Sequence, residues 1–372
     1  MTKKARIAAI GTGWWSTYAH IPTLKNHPEV ELVALADVRS DVLAKAADYY
    51  DVKKTYTDYR ELLANESLDG VTIAVWHAAH YEVARACLEH NLHMVLEKPM
   101  VLQATDARNL IEMARERDLE IVMSYPWNYL SVAQRAREVL RSGELGPIHY
   151  ISNIFSSNPL ALFRGDDQSD DPDMALTYPV VGPGDVYSDP VRSGGGQGHL
   201  QVTHSAGMMF YLTDLQPVSV IALMDNLDVR VDVVDAMIVR MDNGCLVNVG
   251  STGATMGGEG KLDVQIYCEK GWVDLDIIAA TGTIYYADGR VEDLAEASTE
   301  ADQDQPGGEV PGAGASYPAH LPVVNLTDII LRQSENFSPG VNGWRTVELL
   351  DAAYRSAAKN GEEVSIASLY AD

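Results

Sequence analysis

Residues 6–16 read Arg-Ile-Ala-Ala-Ile-Gly-Thr-Gly-Trp-Trp-Ser. An apolar strand runs straight into a glycine-rich turn, and the reading of that turn decides the fold. Gly11 permits the tight bend after the strand. Gly13 lets the main chain approach a pyrophosphate, and the helix that follows aims its N-terminal N–H groups at the phosphate charge. Ser16 stands where a third glycine would be and is small enough for helix and strand to pack. A second strand, 31–36, ends in Asp37, 24 residues after Gly13. That is near the spacing of roughly 20 at which an acidic side chain binds the adenosine ribose hydroxyls. Together these features predict a bound dinucleotide. NAD is favoured over NADP because Asp37 would repel a 2′-phosphate, although Arg39, two residues on, leaves dual use open.

Outward from this turn, strand-like and helix-like segments alternate. Strands are expected at 6–10, 31–36, 70–75, 93–97 and 120–124, and helices at 14–26, 40–50, 58–65, 79–90 and 103–117. Alternation of this kind predicts an α/β, doubly wound parallel sheet, a Rossmann domain. The character changes near residue 124. A helix over 129–142 stops at Ser142-Gly143, a strand follows at 149–155, and residues 156–198 are rich in Asp, Pro, Gly and Ser. Between 218 and 288 short alternating strands are separated by turns such as Asp242-Asn243-Gly244. A second polar loop covers 298–318, and helices are expected at 320–336 and 342–359. The chain therefore divides into a coenzyme domain, 1–124, and a substrate-binding and oligomerisation domain, 125–372, of α+β type with an open, mostly antiparallel sheet.

The chain has 372 residues, 46% hydrophobic and 22% charged, with a formal net charge of −25. Such acidity argues against nucleic acid and anionic membranes as partners. No apolar run of about 18 residues is present to cross a bilayer. The three cysteines, Cys87, Cys245 and Cys268, form neither a disulfide framework nor a metal-ligand spacing. No metal is expected, and a reducing cytoplasm is the expected compartment.

After the fifth strand the sequence reads Glu97-Lys98-Pro99, and further on a glycine run, Gly194-Gly195-Gly196, leads into a helix bearing His204. With the first turn, Asp37, His80 and the segment Ala353-Tyr354-Arg355-Ser356-Ala357, this pattern resembles the Gfo/Idh/MocA family of sugar and cyclitol oxidoreductases. The resemblance covers nearly the whole chain. It implies that Lys98 lies at the active site near the nicotinamide, with Glu97 and His80 beside the coenzyme, a cis bond before Pro99, and a homodimer or homotetramer built on the second sheet. Two departures stand out. The family often places an aspartate four residues before the histidine, where this chain has Leu200. The Pro-Asn common after the fourth strand is here Trp76-His77.

Loss of a hydride from a secondary alcohol leaves a hydroxyl proton to be removed by a base within hydrogen-bond reach. Lys98 and His204 are the catalytic candidates; partial burial beside a cationic nicotinamide would lower the pKa of the lysine. Trp14, Trp15 and Trp76 offer aromatic faces to coenzyme or sugar. Tyr125, Trp127, Asn128, Tyr178, Tyr187 and His199 are further substrate candidates, and Arg164 and Arg192 could clamp an anionic sugar. The leading expectation is an NAD-dependent oxidoreductase of a sugar, glycoside or cyclitol. A glycoside hydrolase working through a transient 3-keto sugar with NAD recycled, for example a sulfoquinovosidase, is one alternative. A non-catalytic dinucleotide-binding regulator is the other.

Overall fold

β1 (Ala5–Ile10) is central to the first sheet because five of its six side chains are buried. Parallel partners flank it, β2 (Val30–Ala36) on one side and β4 (Gly70–Ile73) on the other. The two-residue β3 (Thr55–Tyr56), β5 (His93–Leu96) and β6 (Ile121–Met123) complete six strands in the order β3-β2-β1-β4-β5-β6. The order reverses beside β1, so the C-terminal ends of β1 and β4 open a crevice at the first glycine turn. The computed structural model describes residues 3–166, 182, 184–256, 260–295 and 317–371.

The second sheet has nine strands in the order β14-β13-β12-β11-β7-β10-β9-β8-β15. These are β7 (Ile148–Ser156), β8 (Pro217–Asp225), β9 (Val234–Met241), β10 (Leu246–Thr252), β11 (Lys261–Cys268), β12 (Gly271–Asp276), β13 (Thr281–Tyr286), β14 (Val291–Asp293) and β15 (Val364–Ser365). Every pairing is antiparallel except β7 with β10. Strict alternation of buried and exposed residues in β9 marks a sheet with one packed face. Helices Ser131–Ser142, Thr203–Thr213 and Gly340–Ala357 cover that face and share a core with it. The opposite face leaves Tyr150, Ile154, Ile221, Leu223, Ile238 and Leu246 exposed.

Helix Leu321–Ile330 follows the second sheet in the chain yet packs Val323, Leu326 and Ile329 against β1, β5 and β6 residues of the first. It is shorter than the pattern over 320–336 suggests. Arg332, at φ +59°, turns the chain out of the helix. The expected helix over 14–26 is present but contains one wide π-turn, Ser16–His20. Strands β3, β14 and β15 were not anticipated, because two or three residues carry no readable period. The loop 156–198 holds helical turns at Leu160–Arg164 and Pro190–Ser193.

Candidate active site

The site begins at the turn after β1. Gly11 sits at φ +90°, and a Cβ there would overlap the Ala74 carbonyl oxygen, so only glycine suits the position. Asp37, at the end of β2, is buried and closes over this turn. Its Oδ2 accepts from the Thr12 main-chain N–H at 2.8 Å, and its Oδ1 accepts from Arg39 N at 2.9 Å and Nε at 3.1 Å. Burial pushes the Asp37 carboxyl up, but the Arg39 and Thr12 hydrogen bonds outweigh this and hold it below its ordinary value. The Arg39 guanidinium reaches back over Gly13, 3.4 Å from where a Cβ would stand. A bare Gly11–Gly13 turn, a helix start at Trp14 and a fixed carboxylate at the end of β2 are what a dinucleotide requires, so these residues fit NAD.

Trp15, on the first helix, donates from Nε1 to Glu97 Oε1 at 2.6 Å, and His20 Nε2 lies 3.1 Å from the same oxygen. Trp14 contacts Trp15 edge-on at 5.3 Å between ring centres. Trp76, beyond β4, is 38% exposed. The Lys98–Pro99 peptide is cis, as the resemblance implied. Lys98 Nζ donates to the main-chain carbonyl of Leu200 at 3.0 Å. Burial lowers the lysine to about 8, against the raising effect of the Glu97 charge. His80 is fully buried between two carbonyls, with Nδ1 at 2.7 Å from Pro99 O and Nε2 at 3.0 Å from Val75 O. It braces the lysine loop from beneath.

The glycine run enters helix Thr203–Thr213 through a second π-turn, Gly198–Val202. This turn interrupts the α-helical spacing between Leu200 and His204. The wide turn carries an extra residue, so counting by α-helical spacing from His204 fails here. The Leu200 side chain packs with Phe163, Val231 and Val233, and its carbonyl receives Lys98 instead. His204 is buried among aromatic rings, 5.2 Å from Trp127, 6.1 Å from Tyr125 and 6.3 Å from Tyr317. Burial, and then the Lys98 charge, hold it well below its ordinary value. Its Nδ1 and the Trp127 Nε1 are buried without a hydrogen-bond partner among the described residues.

The other candidates separate into two groups. Tyr187 lies 5.6 Å from His77, and His77 in turn feels the charge of Lys98. His199 stacks on Tyr354 at 4.6 Å; burial lowers it to about 4, against the pull of Asp232 and Asp351. The Tyr125 hydroxyl is 3.3 Å from Thr203 Oγ1, and Asn128 donates to Ser338 Oγ at 3.1 Å, so both tie segments together. Arg164 pairs with Asp228 at 3.2 Å, and Arg192 with Asp185 and Asp189 at 2.8 Å each. Both guanidinium groups are thus already ion-paired with aspartates. Tyr178 lies outside the described residues. Sequence reasoning missed Tyr317, which meets Trp127 edge-on at 5.0 Å and Trp15 at 5.9 Å. Its only signal was an aromatic residue ending a polar loop. Among the described residues no group of three or more His, Cys, Asp or Glu is arranged to hold a metal ion.

A family model for an oxidoreductase family with an NAD-binding Rossmann fold matches residues 5–125, and the GFO/IDH/MocA C-terminal domain matches residues 133–274. The chain belongs to the Gfo/Idh/MocA family. The N-terminal unit of this Gfo/Idh/MocA protein is an NAD-binding Rossmann domain. Over 154 residues it is 29% identical to a myo-inositol 2-dehydrogenase of Thermotoga maritima, covering 41% of this chain and 46% of that one. The matches span 41–50% of the length of three curated relatives. An oxidoreductase domain protein from Kribbella flavida has the same fold, with a TM-score of 0.81 at 17% identity over 98% of this chain and 100% of that one. A levoglucosan dehydrogenase in complex with NADH and levoglucosan gives 0.76 at 16% identity over the same shares. No helix among the described residues is long and apolar enough to cross a membrane.

Proposed function

We propose that this Gfo/Idh/MocA protein transfers hydride between NAD and a secondary hydroxyl of a sugar, glycoside or cyclitol. The observation that carries the reading is Lys98, an amine lowered to about 8, held by Leu200 O at 3.0 Å and near enough to His204 for its charge to act on the imidazole. When bound, the coenzyme supplies the hydride acceptor. The chain's own residues handle the proton. Neutral Lys98 Nζ takes the hydroxyl proton, and the Leu200 carbonyl holds one N–H of the resulting ammonium. His204 stays neutral, and its unpartnered Nδ1 is free to orient a substrate hydroxyl. Trp127, Tyr317 and Trp15 present ring edges and faces to the apolar side of a sugar ring. Gly11, Gly13 and Asp37 hold the dinucleotide.

The occupied guanidinium groups of Arg164 and Arg192 favour an uncharged substrate over an anionic one. The functional division is coenzyme binding by 1–124 and substrate binding and assembly by 125–372, with helix Leu321–Ile330 bracing the two. The exposed apolar face of the second sheet suits a homodimer or homotetramer, and the compartment is the cytoplasm.

The test is incubation with NAD and a panel of neutral and anionic sugars, cyclitols and aryl glycosides, following NADH and aglycone together. Stoichiometric NADH supports the dehydrogenase. Aglycone release without net NADH would instead assign the redox-neutral glycoside hydrolase. Tight NAD binding with neither product would point to a regulator.

A further inference from the structure

The helix bearing His204 starts with main-chain N–H groups that need acceptors, as every helix does. Here one residue from a distant loop supplies them. Asp232 Oδ1 accepts from Gly196 N at 2.7 Å, Oδ2 accepts from Gly198 N at 2.7 Å, and its main-chain oxygen accepts from Gln197 N at 2.8 Å. Asp232 thus grips three consecutive residues at the start of the π-turn. The Tyr354 hydroxyl donates to Oδ1 at 2.9 Å. The fit leaves no spare room, since a Cβ on Gly196 would overlap the Asp232 main-chain oxygen. One turn later Leu200 N–H bonds back to Gly196 O at 2.8 Å, and Leu200 O receives Lys98 Nζ at 3.0 Å.

We propose that Asp232 is a positioning residue for Lys98: by capping the helix start it sets the π-turn whose Leu200 carbonyl aims the lysine amine. Its negative charge also complements the positive end of the helix. Asp232 acts through the main chain. The charged and titratable groups around Lys98 are Glu97, His77 and His204, and those around Asp232 are Asp235, Tyr354 and His199. Burial and the neighbouring Asp232 charge push the Asp235 carboxyl well above its ordinary value, and asparagine, which keeps its size, is the matched substitution for a control. Loss of the carbonyl acceptor removes a bond that favours the charged lysine, and the amine then titrates lower.

The functional meaning of this device rests on the role given to Lys98 above, so the test does not depend on turnover. The pH dependence of acetic anhydride labelling at Lys98, read by mass spectrometry against a free-amine standard, reports its titration in the full chain without coenzyme. Wild type is expected to give a midpoint near 8. Asp232→Asn is expected to lower the midpoint by about half to one unit, whereas Asp235→Asn leaves it in place. Tyr354→Phe removes one of the carboxylate's partners and should shift the midpoint the same way by less. It decides the matter if Asp232→Asn does not fold. Unchanged midpoints in folded Asp232→Asn or, failing that, in Tyr354→Phe would overturn the proposal, and so would an equal shift in Asp235→Asn. A shift without turnover in the wild type would leave the positioning role standing while removing the dehydrogenase.

Discussion

Trp15 Nε1 and Glu97 Oε1 meet at 2.6 Å across 82 residues of chain. The bond ties the first helix of the dinucleotide turn to the strand end that carries Lys98. The Glu97 carboxylate also receives Lys98 N at 3.2 Å, so coenzyme turn and lysine loop are held as one unit. Glu97→Gln weakens that unit. Hydrogen bonds to a charged group contribute about 1.5–3 kcal/mol, and a loss of this order is expected in denaturant melts. Burial pushes the Glu97 carboxyl up, but His20, Lys98 and Ser124 pull it net below 4.5. Its contribution is therefore full above 4.5 and disappears as pH falls through the folded value. The difference in stability between wild type and Glu97→Gln should shrink on acidification. A constant difference would contradict this.

The pH dependence of turnover follows from the lysine. In the oxidation direction the amine must be neutral, so kcat/KM should rise with pH through a midpoint near 8. The Glu97 charge raises Lys98, so Glu97→Gln should move that limb to lower pH. Lys98→Ala should lower kcat by about 10²- to 10⁴-fold while calorimetry still records NAD binding. Steady-state profiles of the three proteins check both statements, and an identical limb in the glutamine variant would count against them.

Leu200 tests the meaning of the second π-turn. Its side chain is buried with Phe163, Val231 and Val233, so Leu200→Ala should destabilise the protein by about 2–5 kcal/mol. Leu200→Asp would bury an unpaired carboxylate in that cluster and should be worse still. Neither substitution should raise kcat. A gain in kcat with Leu200→Asp would mean that the side chain faces the substrate after all.

Much of the fold was legible because its signals are local. The Gly11–Gly13 turn, Asp37 at a strand end, and alternation in β9 each follow from a few neighbouring residues. The cis peptide at Pro99 came with the Glu-Lys-Pro pattern. What escaped depends on distant partners or on helix phase. The phase of Leu200 relative to His204 could not be read because no local residue announces a wide turn. Asp232 and Tyr317 reach the site from other segments, and no spacing connects them to it. The aspartates that pair with Arg164 and Arg192 lie partly in other segments and carried no readable signal.

Coenzyme choice provides another check. Asp37 holds Arg39 through bonds of 3.1 Å at both Nε and Nη2. Asp37→Ser removes the carboxylate proposed to bind the ribose and releases the guanidinium for a 2′-phosphate. NAD affinity should fall by about ten- to a hundredfold, as expected for one charged hydrogen-bonding group, and the NADP-to-NAD affinity ratio should rise. Fluorescence titration with both reduced coenzymes measures this. An unchanged ratio would leave Asp37 with a purely structural role at the turn.

The most direct measurement is a crystal structure of the ternary complex with NADH and a turned-over polyol. The account requires Lys98 Nζ within about 3 Å of the reacting oxygen, with the pyrophosphate over Gly11–Gly13. An amine turned away from that oxygen, or a substrate bound outside the pocket of Lys98, His204, Trp127 and Tyr317, would contradict it.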